Sequence, residues 1–423
     1  MSLYQDLKDR NFIYDMTHDE LVKKVDEEKL TLYCGFDPTA DSLTVGNLLP
    51  IMAMAWFQKA GHKVILLVGG ATGMVGDPSG KSDERSLLTA EQVAHNAACI
   101  KKQVSRFLDF DGDNAALMVD NNDWIGKMSF IDWLRDVGKF FNLNHMLAKE
   151  SVKGRLNSDS GISYTEFSYM TLQAYDFSYL HKEYGCNLQI GGQDQWGNIT
   201  AGIDLTRKNH QATVYGLTFP LLTNANGEKW GKSMGNSVWL DANRTSPYNF
   251  YQFWINTPDS EMRKLLQYFS FMSISEIDEV MSAHDEEPHR RIAQKKLAEV
   301  MTTLVHAEEG LAKALKATEV LFGGSMEGLS DQELIEIFSN VPSIVKSKSE
   351  LEEGIGLLSL MKDAGFSNSI GEARRLVQGG AIKFNNTEKV SDHELLVKAE
   401  HLITESCIVI GTKKKKFLVR FEA

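Results

Sequence analysis

The stretch Tyr33-Cys-Gly-Phe-Asp-Pro-Thr-Ala-Asp-Ser-Leu-Thr-Val-Gly46 decides the fold of this chain. It begins as a short apolar strand, continues as a polar loop, and reaches a glycine just before an amphipathic run from Asn47 to Ala60, which is typical of a helix. A helix that follows a strand in this way offers backbone N–H groups and the positive end of its dipole to an anion. The stretch therefore predicts a strand, a ligand-binding turn and a helix.

β-Rich runs alternate with helical patterns along the first half of the chain. The runs are 31–36, 64–69, 115–119, 187–190 and 214–217. Strands separated by helices predict a parallel sheet, whose ligands bind at the carboxyl ends of the strands. Helical patterns continue from 247 to 322, and glycine-rich or Ser/Lys-rich segments follow. We expect an α/β Rossmann-like catalytic domain over 1–246, an all-α domain over 247–325, a linker over 326–350 and a small α+β domain over 351–423.

Composition excludes several classes of protein. The chain has 423 residues, of which 43% are hydrophobic, enough for two or three domains with sizeable cores. Its four cysteines show neither zinc-site spacing nor a disulfide framework, and its apolar runs are too short to span a bilayer. We therefore expect a cytoplasmic protein with no membrane association.

Charge is distributed unevenly along the chain. The net charge is −12, but residues 351–423 carry 11 Lys and Arg against 10 Asp and Glu, a net of +1, which leaves −13 on residues 1–350. The lysine run 413–416 therefore predicts a phosphate-facing patch near the C-terminus. A solvated charged turn explains the lysine run equally well.

A polar stripe is predicted on one helix. Residues 165–183 have helical length; Thr165 can cap the start, and Gly185 lies beyond the end. Tyr169, Gln173 and Asp176 recur at i, i+4 and i+7, so a hydroxyl, an amide and a carboxylate share one face. Such a stripe either lines a polar pocket or is the solvated face of an aromatic-rich helix.

Two glycine-containing loops carry cations. Segment 69–82 follows the second strand, but only three residues separate Gly76 from Gly80, where a P-loop needs four. In Lys229-Trp-Gly-Lys-Ser233, two lysines lie three residues apart, which suits groups that neutralise a reacting polyphosphate. A solvated loop is the alternative reading of each segment.

The stretch 33–47 and Lys229-Trp-Gly-Lys-Ser233 together closely resemble the two signature sequences of bacterial-type tyrosyl-tRNA synthetases, which are class I aminoacyl-tRNA synthetases. The resemblance covers nearly the whole chain. It includes Gly191-Gly-Gln-Asp-Gln-Trp-Gly-Asn198, and segment 369–384 is similar to a small RNA-binding domain shared with a ribosomal protein.

The resemblance implies a reaction and its partners. ATP with Mg²⁺ would activate L-tyrosine to tyrosyl-adenylate and pyrophosphate, and the 3′-terminal ribose of tRNA(Tyr) would then take the tyrosyl group. It implies no protein-bound structural metal. It also implies a homodimer formed through segment 130–146 and Tyr164, with the helical domain binding the anticodon stem.

The same resemblance assigns site residues. It implies that tyrosine is bound by Tyr33, Asp37, Asp77, Tyr169, Gln173, Asp176, Gln189 and Gln195. It implies that ATP is bound by Cys34, Gly35, Gly46, Asn47, Gly191, Asp194, Lys229 and Lys232. It assigns catalysis to Lys229, Lys232, Thr39, Thr44, Lys81 and Arg85, and tRNA contacts to Arg207, Lys208, Arg374, Arg375 and Lys383.

The first signature departs from the family pattern. The family's His-x-Gly-His is Thr44, Val45, Gly46 and Asn47 in this chain. Asn47 keeps a short donor, but Thr44 is uncharged, and loss of one such donor typically lowers a rate by about 10². We therefore expect slower activation unless other groups compensate. Two alternatives remain: a non-catalytic RNA-binding paralogue that lost the histidines, and an unrelated NTPase, which the glycine spacing disfavours.

Overall fold

The structure, a computed structural model, describes residues 2–78, 88–156, 161–223, 230, 232–233, 236–339, 341–413 and 415–422. The chain divides into two compact units. Unit 1 comprises Met1–Thr245 and Gln252–Val305, and unit 2 comprises Ser246–Tyr251 and His306–Ala423. Within the described ranges, no helix has both the length and the apolar character needed to cross a bilayer.

A six-stranded sheet forms the centre of unit 1. Its strands are β1 (Asp15–Met16), β2 (Thr31–Phe36), β3 (Lys63–Val68), β4 (Leu117–Asp120), β5 (Leu188–Gly192) and β6 (Tyr215–Phe219), in the order β1-β6-β5-β2-β3-β4. The strands from β6 to β4 are parallel, whereas β1 pairs antiparallel with β6. The predicted parallel sheet is therefore confirmed. Strand β1 was not predicted, because two residues are too few to show a period.

The strand order reverses between β2 and β5. The chain proceeds from β2 outward to β3 and β4 and then returns to β5 on the other side of β2. Tyr33 on β2 lies directly beside Gln189 on β5 in the sheet register. Because ligands of open parallel sheets bind where the strand order reverses, these two residues mark the expected position of the site.

Helices connect the strands of unit 1 and continue beyond them. They are α1 (Leu3–Asp9), α2 (Leu21–Glu27), α3 (Leu48–Lys59), α4 (Thr72–Val75), α5 (Ala90–Val104), α6 (Phe130–Asp136), α7 (Leu143–Leu147), α8 (Glu150–Leu156), α9 (Tyr164–Tyr184), α10 (Trp196–His210), α11 (Pro247–Ile255), α12 (Met262–Phe269), α13 (Ile274–Glu286) and α14 (Ile292–Leu321). The helical character predicted for 247–322 is confirmed. Helix α14 is interrupted at Ala307, which has φ of 60° and ψ of −179°.

Helix α9 begins earlier than its sequence suggested. Ser163 is the N-cap, and its hydroxyl accepts from the Glu166 backbone N–H at 3.2 Å. The Glu166 carboxylate in turn accepts from the Ser163 backbone N–H at 3.4 Å, which completes a capping box. The predicted cap at Thr165 is therefore wrong by two residues, whereas Gly185 ends the helix with a φ of 66° as expected.

Unit 2 contains a second sheet. Two short strands of unit 1, β7 (Lys232–Ser233) and β8 (Asn236–Ser237), precede the strands of unit 2, which are β9 (Ser343–Ser347), β10 (Ile355–Gly356), β11 (Ile382–Phe384), β12 (Glu388–Val390), β13 (Leu396–Val397), β14 (Cys407–Gly411) and β15 (Lys416–Glu422). Five of them form a sheet in the order β12-β11-β14-β15-β9. Its further helices are α15 (Asp331–Ile337), α16 (Lys348–Glu353), α17 (Leu357–Asp363) and α18 (Ile370–Gln378).

The segment 326–350, which the sequence suggested is a linker, contains helix α15 and strand β9. Leu334 of α15 and the adjacent Phe338 are buried in a cluster with Cys407 and Leu418. Strand β9 pairs in parallel with β15 at the edge of the sheet. Serine and lysine are common on edge strands, so the polar composition of β9 misled the sequence-based assignment.

Candidate active site

A cavity of about 250 Å³ opens at the carboxyl ends of β2, β3 and β5. The predicted site residues in its lining are Tyr33, Cys34, Gly35, Asp37, Thr39, Asn47, Asp77, Tyr169, Gln173, Asp176, Gln189, Gly191 and Gln195. Thr44, Gly46 and Asp194 are outside this lining. Lys81, Arg85 and Lys229 lie outside the described residues, and only the backbone of Lys232 is described. The structure thus brings residues from distant parts of the sequence to one site.

The end of the cavity near β2 and β5 holds buried polar groups. Tyr33 is fully buried, with its ring edge-on to Phe177 at 5.3 Å between centroids. Its hydroxyl and Gln189 Oε1 are buried and have no hydrogen-bond partner in the part of the chain that the structure describes. Buried polar atoms are nearly always paired, so these two atoms in a cavity wall indicate the polar group of a ligand.

Asp176 lies in the same wall and is 1% exposed. Burial raises the pKa of its carboxyl to about 8, although hydrogen bonds from neighbouring side chains oppose the shift. Burial, followed by the charge of Asp176, also raises the pKa of Tyr33 well above its ordinary value, so the Tyr33 hydroxyl keeps its proton. A phenol hydroxyl entering here would meet one hydroxyl donor, from Tyr33, and a carboxyl oxygen of Asp176 that can accept.

Several residues that support the site were not found from the sequence. Asn121 Nδ2 and Trp124 Nε1 donate to the two carboxylate oxygens of Asp176 at 3.0 and 2.8 Å. Asn198 Nδ2 donates to Gln173 Oε1 at 2.9 Å. Asn121 and Trp124 lie just after β4. The polar residues that follow the predicted strand could have identified this segment as part of the site, because ligands bind at the carboxyl ends of parallel strands.

Acidic side chains surround another part of the cavity. The Tyr169 hydroxyl donates to Asp37 Oδ2 at 2.9 Å, and Gln195 Nε2 donates to Asp77 Oδ2 at 2.9 Å. Burial, followed by the charges of Asp37 and Asp77, raises the pKa of Tyr169 well above its ordinary value. Carboxylates in a partly desolvated cavity suit a cation such as a primary ammonium group.

The glycines that follow β3 make room for carboxylates. A Cβ on Gly69 would lie 2.1 Å from Asp37 Oδ1, and a Cβ on Gly70 would lie 2.1 Å from Asp120 Oδ1. The Gly70 backbone N–H donates to Asp120 Oδ1 at 3.1 Å. This part of the glycine-rich segment therefore packs against acidic side chains, which explains its glycines without a P-loop.

The two signature sequences approach each other in unit 1. The backbone oxygen of Trp230 lies 3.8 Å from the position that a Cβ on Gly46 would occupy. The Trp230 ring contacts three aromatic rings at centroid distances of 4.8, 5.2 and 6.0 Å, those of Phe253, Trp254 and Phe269. This packing fixes Trp230, two residues before Lys232, near the start of α3.

The predicted RNA-contacting residues differ in exposure. Arg207 and Lys208, near the end of α10, both pair with Asp204, at 2.7 and 2.6 Å. Arg374 and Arg375 are exposed on α18, and Lys383 on β11 is half-buried, with its ammonium donating to the Asn386 carbonyl at 3.2 Å.

The lysine run 413–416 is not wholly on the surface. Lys416 is 8% exposed, and its ammonium donates to the Leu321 carbonyl near the end of α14 at 2.6 Å. Burial, followed by the charge of Lys383, lowers its pKa. The expectation that the whole run faces phosphates is therefore wrong for Lys416, which bonds a helix-terminal carbonyl instead.

Two family models match the chain. The model described as "tRNA synthetases class I (W and Y)" matches residues 24–323, and the model described as "Tyrosine--tRNA ligase SYY-like C-terminal domain" matches residues 333–419. Together with the parallel sheet and the cavity where its strand order reverses, the first match defines a class I aminoacyl-tRNA synthetase.

Full-length relatives narrow this class to one family. The tyrosine–tRNA ligase of Geobacillus stearothermophilus is 49% identical over 425 residues, covering 100% of both chains, and that of Roseiflexus castenholzii is 46% identical over 418 residues, covering 98% of both. The solved structure of a C-terminally truncated mitochondrial tyrosyl-tRNA synthetase from Aspergillus nidulans is similar, with 32% identity and a TM-score of 0.68, covering 76% of this chain and 94% of that one. The chain therefore belongs to the tyrosine–tRNA ligase family.

The catalysed reaction follows from this membership. The enzyme activates L-tyrosine with ATP to tyrosyl-adenylate and pyrophosphate, and then transfers the tyrosyl group to tRNA(Tyr). The comparisons give no support to the alternative of a non-catalytic RNA-binding paralogue.

Proposed function

We propose that the cavity holds L-tyrosine with its phenol hydroxyl between Tyr33 and Asp176. The observation that carries this proposal is the buried Tyr33 hydroxyl, which has no partner among the described residues and lies in the same wall as Asp176. A phenol that accepts from Tyr33 and donates to an Asp176 carboxyl oxygen gives the Tyr33 hydroxyl its partner and adds a bond to Asp176. The ammonium group of tyrosine is then held by Asp77, Tyr169 and Gln173.

Tyr33→Phe tests this orientation. It should weaken the binding of L-tyrosine about 3- to 10-fold, because the bound phenol loses one hydrogen-bond donor, and it should strengthen the binding of L-phenylalanine, which then no longer buries an unpaired hydroxyl. Calorimetric titration with each amino acid measures both effects. Tyr184→Phe, which removes a hydroxyl from α9 outside the cavity, is the control. Equal effects of Tyr33→Phe on the two amino acids would overturn the proposal.

Activation requires that the tyrosine carboxylate attack the α-phosphorus of ATP while pyrophosphate departs. The residues proposed to bind the nucleotide are Cys34, Gly35, Thr39, Asn47 and Gly191 in the adjoining part of the cavity, together with Asp194 outside its lining. Lys81, Arg85, Lys229 and Lys232 would stabilise the negative charge that develops on the departing pyrophosphate. Mg²⁺ enters as the Mg–ATP complex, and the described residues contain no cluster of side chains suited to hold a metal ion.

The proposed tRNA-binding surfaces are Arg207 and Lys208 for the acceptor stem and Arg374, Arg375 and Lys383 for more distant parts of the tRNA. Arg207, Arg374 and Arg375 are exposed, which supports contact with phosphates. We assign anticodon binding to the helical region 247–325 and RNA binding to 351–423. Because the tyrosylated tRNA is used in translation, we place the enzyme in the cytoplasm.

We propose a homodimer formed through the segment around α6 and α7. Phe130, Ile131, Leu143 and Tyr164 are all large and more than 60% exposed, at 62%, 68%, 63% and 68%. Exposed apolar side chains of this size typically mark an interaction surface. Ile131→Glu should therefore convert the dimer to a monomer in sedimentation equilibrium, whereas Leu315→Glu, at another exposed leucine, should not. A wild-type monomer at micromolar concentration would contradict this proposal.

A further inference from the structure

Thr44 occupies the position at which related enzymes carry the first signature histidine, and its contacts in this chain are unusual. Its backbone N–H donates to Asn47 Oδ1 at 2.9 Å, and its hydroxyl donates to the same oxygen at 3.0 Å. Both bonds join the first and fourth residues of the signature within the chain itself. Thr44 is not in the cavity lining, whereas Asn47 is.

The backbone around Thr44 is held independently of this side chain. Thr44 forms an antiparallel bridge with Trp239, the Val45 N–H donates to the Val238 carbonyl at 3.0 Å, and the Leu240 N–H donates to the Leu43 carbonyl at 2.8 Å. Thr44 therefore presents its N–H and hydroxyl to Asn47 from a fixed position.

The contact with Thr44 shows which end of the Asn47 carboxamide is the oxygen and which is the nitrogen. A backbone N–H can only donate, so the atom of the Asn47 carboxamide that faces Thr44 must be the oxygen. The amide nitrogen of Asn47 therefore faces away from Thr44. Because Asn47 lines the cavity, an amide nitrogen on the side away from Thr44 can donate to a ligand bound there.

We propose that Thr44 is a positioning residue that locks the Asn47 carboxamide with its N–H groups toward ATP. This inference rests on the proposed nucleotide-binding role of Asn47. Without the hydroxyl, only the backbone N–H bond to Asn47 Oδ1 remains, so the carboxamide is held less firmly and fewer molecules present the donor in the productive orientation. Thr44 thus contributes through Asn47 and has no contact of its own with the phosphates. The two residues replace the two signature histidines as a pair.

Thr44→Val and Thr44→Ser separate the hydroxyl from the shape of the side chain. Thr44→Val should raise the KM for ATP in tyrosine-dependent ATP–pyrophosphate exchange about 3- to 10-fold, the usual effect of one hydrogen bond, with the KM for tyrosine unchanged. Thr44→Ser keeps the hydroxyl and should restore the ATP KM to within about twofold of the wild type. A similar increase in the KM for ATP in both variants would overturn the inference, because Thr44→Ser keeps the hydroxyl and the increase could not then be caused by its loss.

A double-mutant cycle with Asn47→Ala distinguishes positioning from direct contact. If Thr44 acts through Asn47, Thr44→Val should have no further effect on the ATP KM in the Asn47→Ala background. If the KM for ATP in the double variant rises by the product of the increases in the two single variants, Thr44 acts independently of Asn47 and the inference is wrong. If Asn47→Ala alone leaves the ATP KM unchanged, the proposed role of Asn47 fails instead, and the two failures are therefore distinguishable.

Discussion

Replacing Asp176 with alanine is expected to abolish the preference of the enzyme for tyrosine over phenylalanine. In the wild type, phenylalanine would leave the buried Tyr33 hydroxyl without a partner and would add no bond to Asp176 beyond those from Asn121 and Trp124, and this difference disfavours phenylalanine. Rejection of phenylalanine by a factor of about 10⁵ is a known property of the tyrosyl-tRNA synthetase family. Asp176→Ala should lower kcat/KM for tyrosine by several orders of magnitude. In this variant the kcat/KM values for tyrosine and phenylalanine should differ by no more than about tenfold.

The measurement is ATP–pyrophosphate exchange with each amino acid at several ATP concentrations. The KM for ATP should change little, because Asp176 lies in the cavity wall with Tyr33 and is not one of the residues proposed to bind the nucleotide. Glu183→Ala removes an exposed carboxyl from the same helix and should leave the ratio of the two amino acids unchanged. An equal loss of kcat/KM for tyrosine and phenylalanine in Asp176→Ala would show that Asp176 has only a structural role.

The sequence predicted correctly which side chains share one face of a helix. The spacing of Tyr169, Gln173 and Asp176 predicted one helical face, and all three residues line the cavity. The helical period is set by local geometry, so a shift of the true helix start to Ser163 did not change which side chains share that face. This is why the prediction tolerated an error in the cap.

Relations between elements could not be predicted in the same way. The bonds from Asn121 and Trp124 to Asp176 depend on how the segment after β4 meets α9, and no local pattern encodes that distance. The edge strand β9 lacks the apolar alternation of a central strand, and Lys416 is buried by residues from other parts of unit 2. In each case tertiary contacts override the local composition.

The departure at the first signature illustrates the same limit. The sequence shows that Thr44 and Asn47 replace two histidines, and from residue types alone this predicts a slower enzyme. The structure shows that these two residues bond to each other. Such a bond requires a turn that brings residues i and i+3 together, and the turn Val45–Asn47 provides it.

Lys232→Ala is expected to lower the rate of tyrosyl-adenylate formation by about 10²- to 10³-fold, because one preorganised positive charge is lost where pyrophosphate departs. Trp230, two residues before Lys232, is anchored in its aromatic cluster close to the start of α3, and the residues proposed to bind tyrosine are others. The dissociation constant for tyrosine, measured by calorimetry, should therefore stay within about threefold of the wild-type value, because ground-state binding of tyrosine is not changed.

Single-turnover kinetics in both directions give the sharper test of Lys232. Adenylate formation and its reversal by pyrophosphate share one transition state, so a lysine that acts there should slow both rates by a similar factor. A lysine that only binds pyrophosphate would instead raise the pyrophosphate concentration needed for half-maximal reversal, with the limiting rates unchanged. Lys295→Ala, at an exposed lysine of α14, removes the same charge elsewhere in unit 1 and should alter neither rate. Normal forward and reverse rates in Lys232→Ala would remove this residue from the catalytic group.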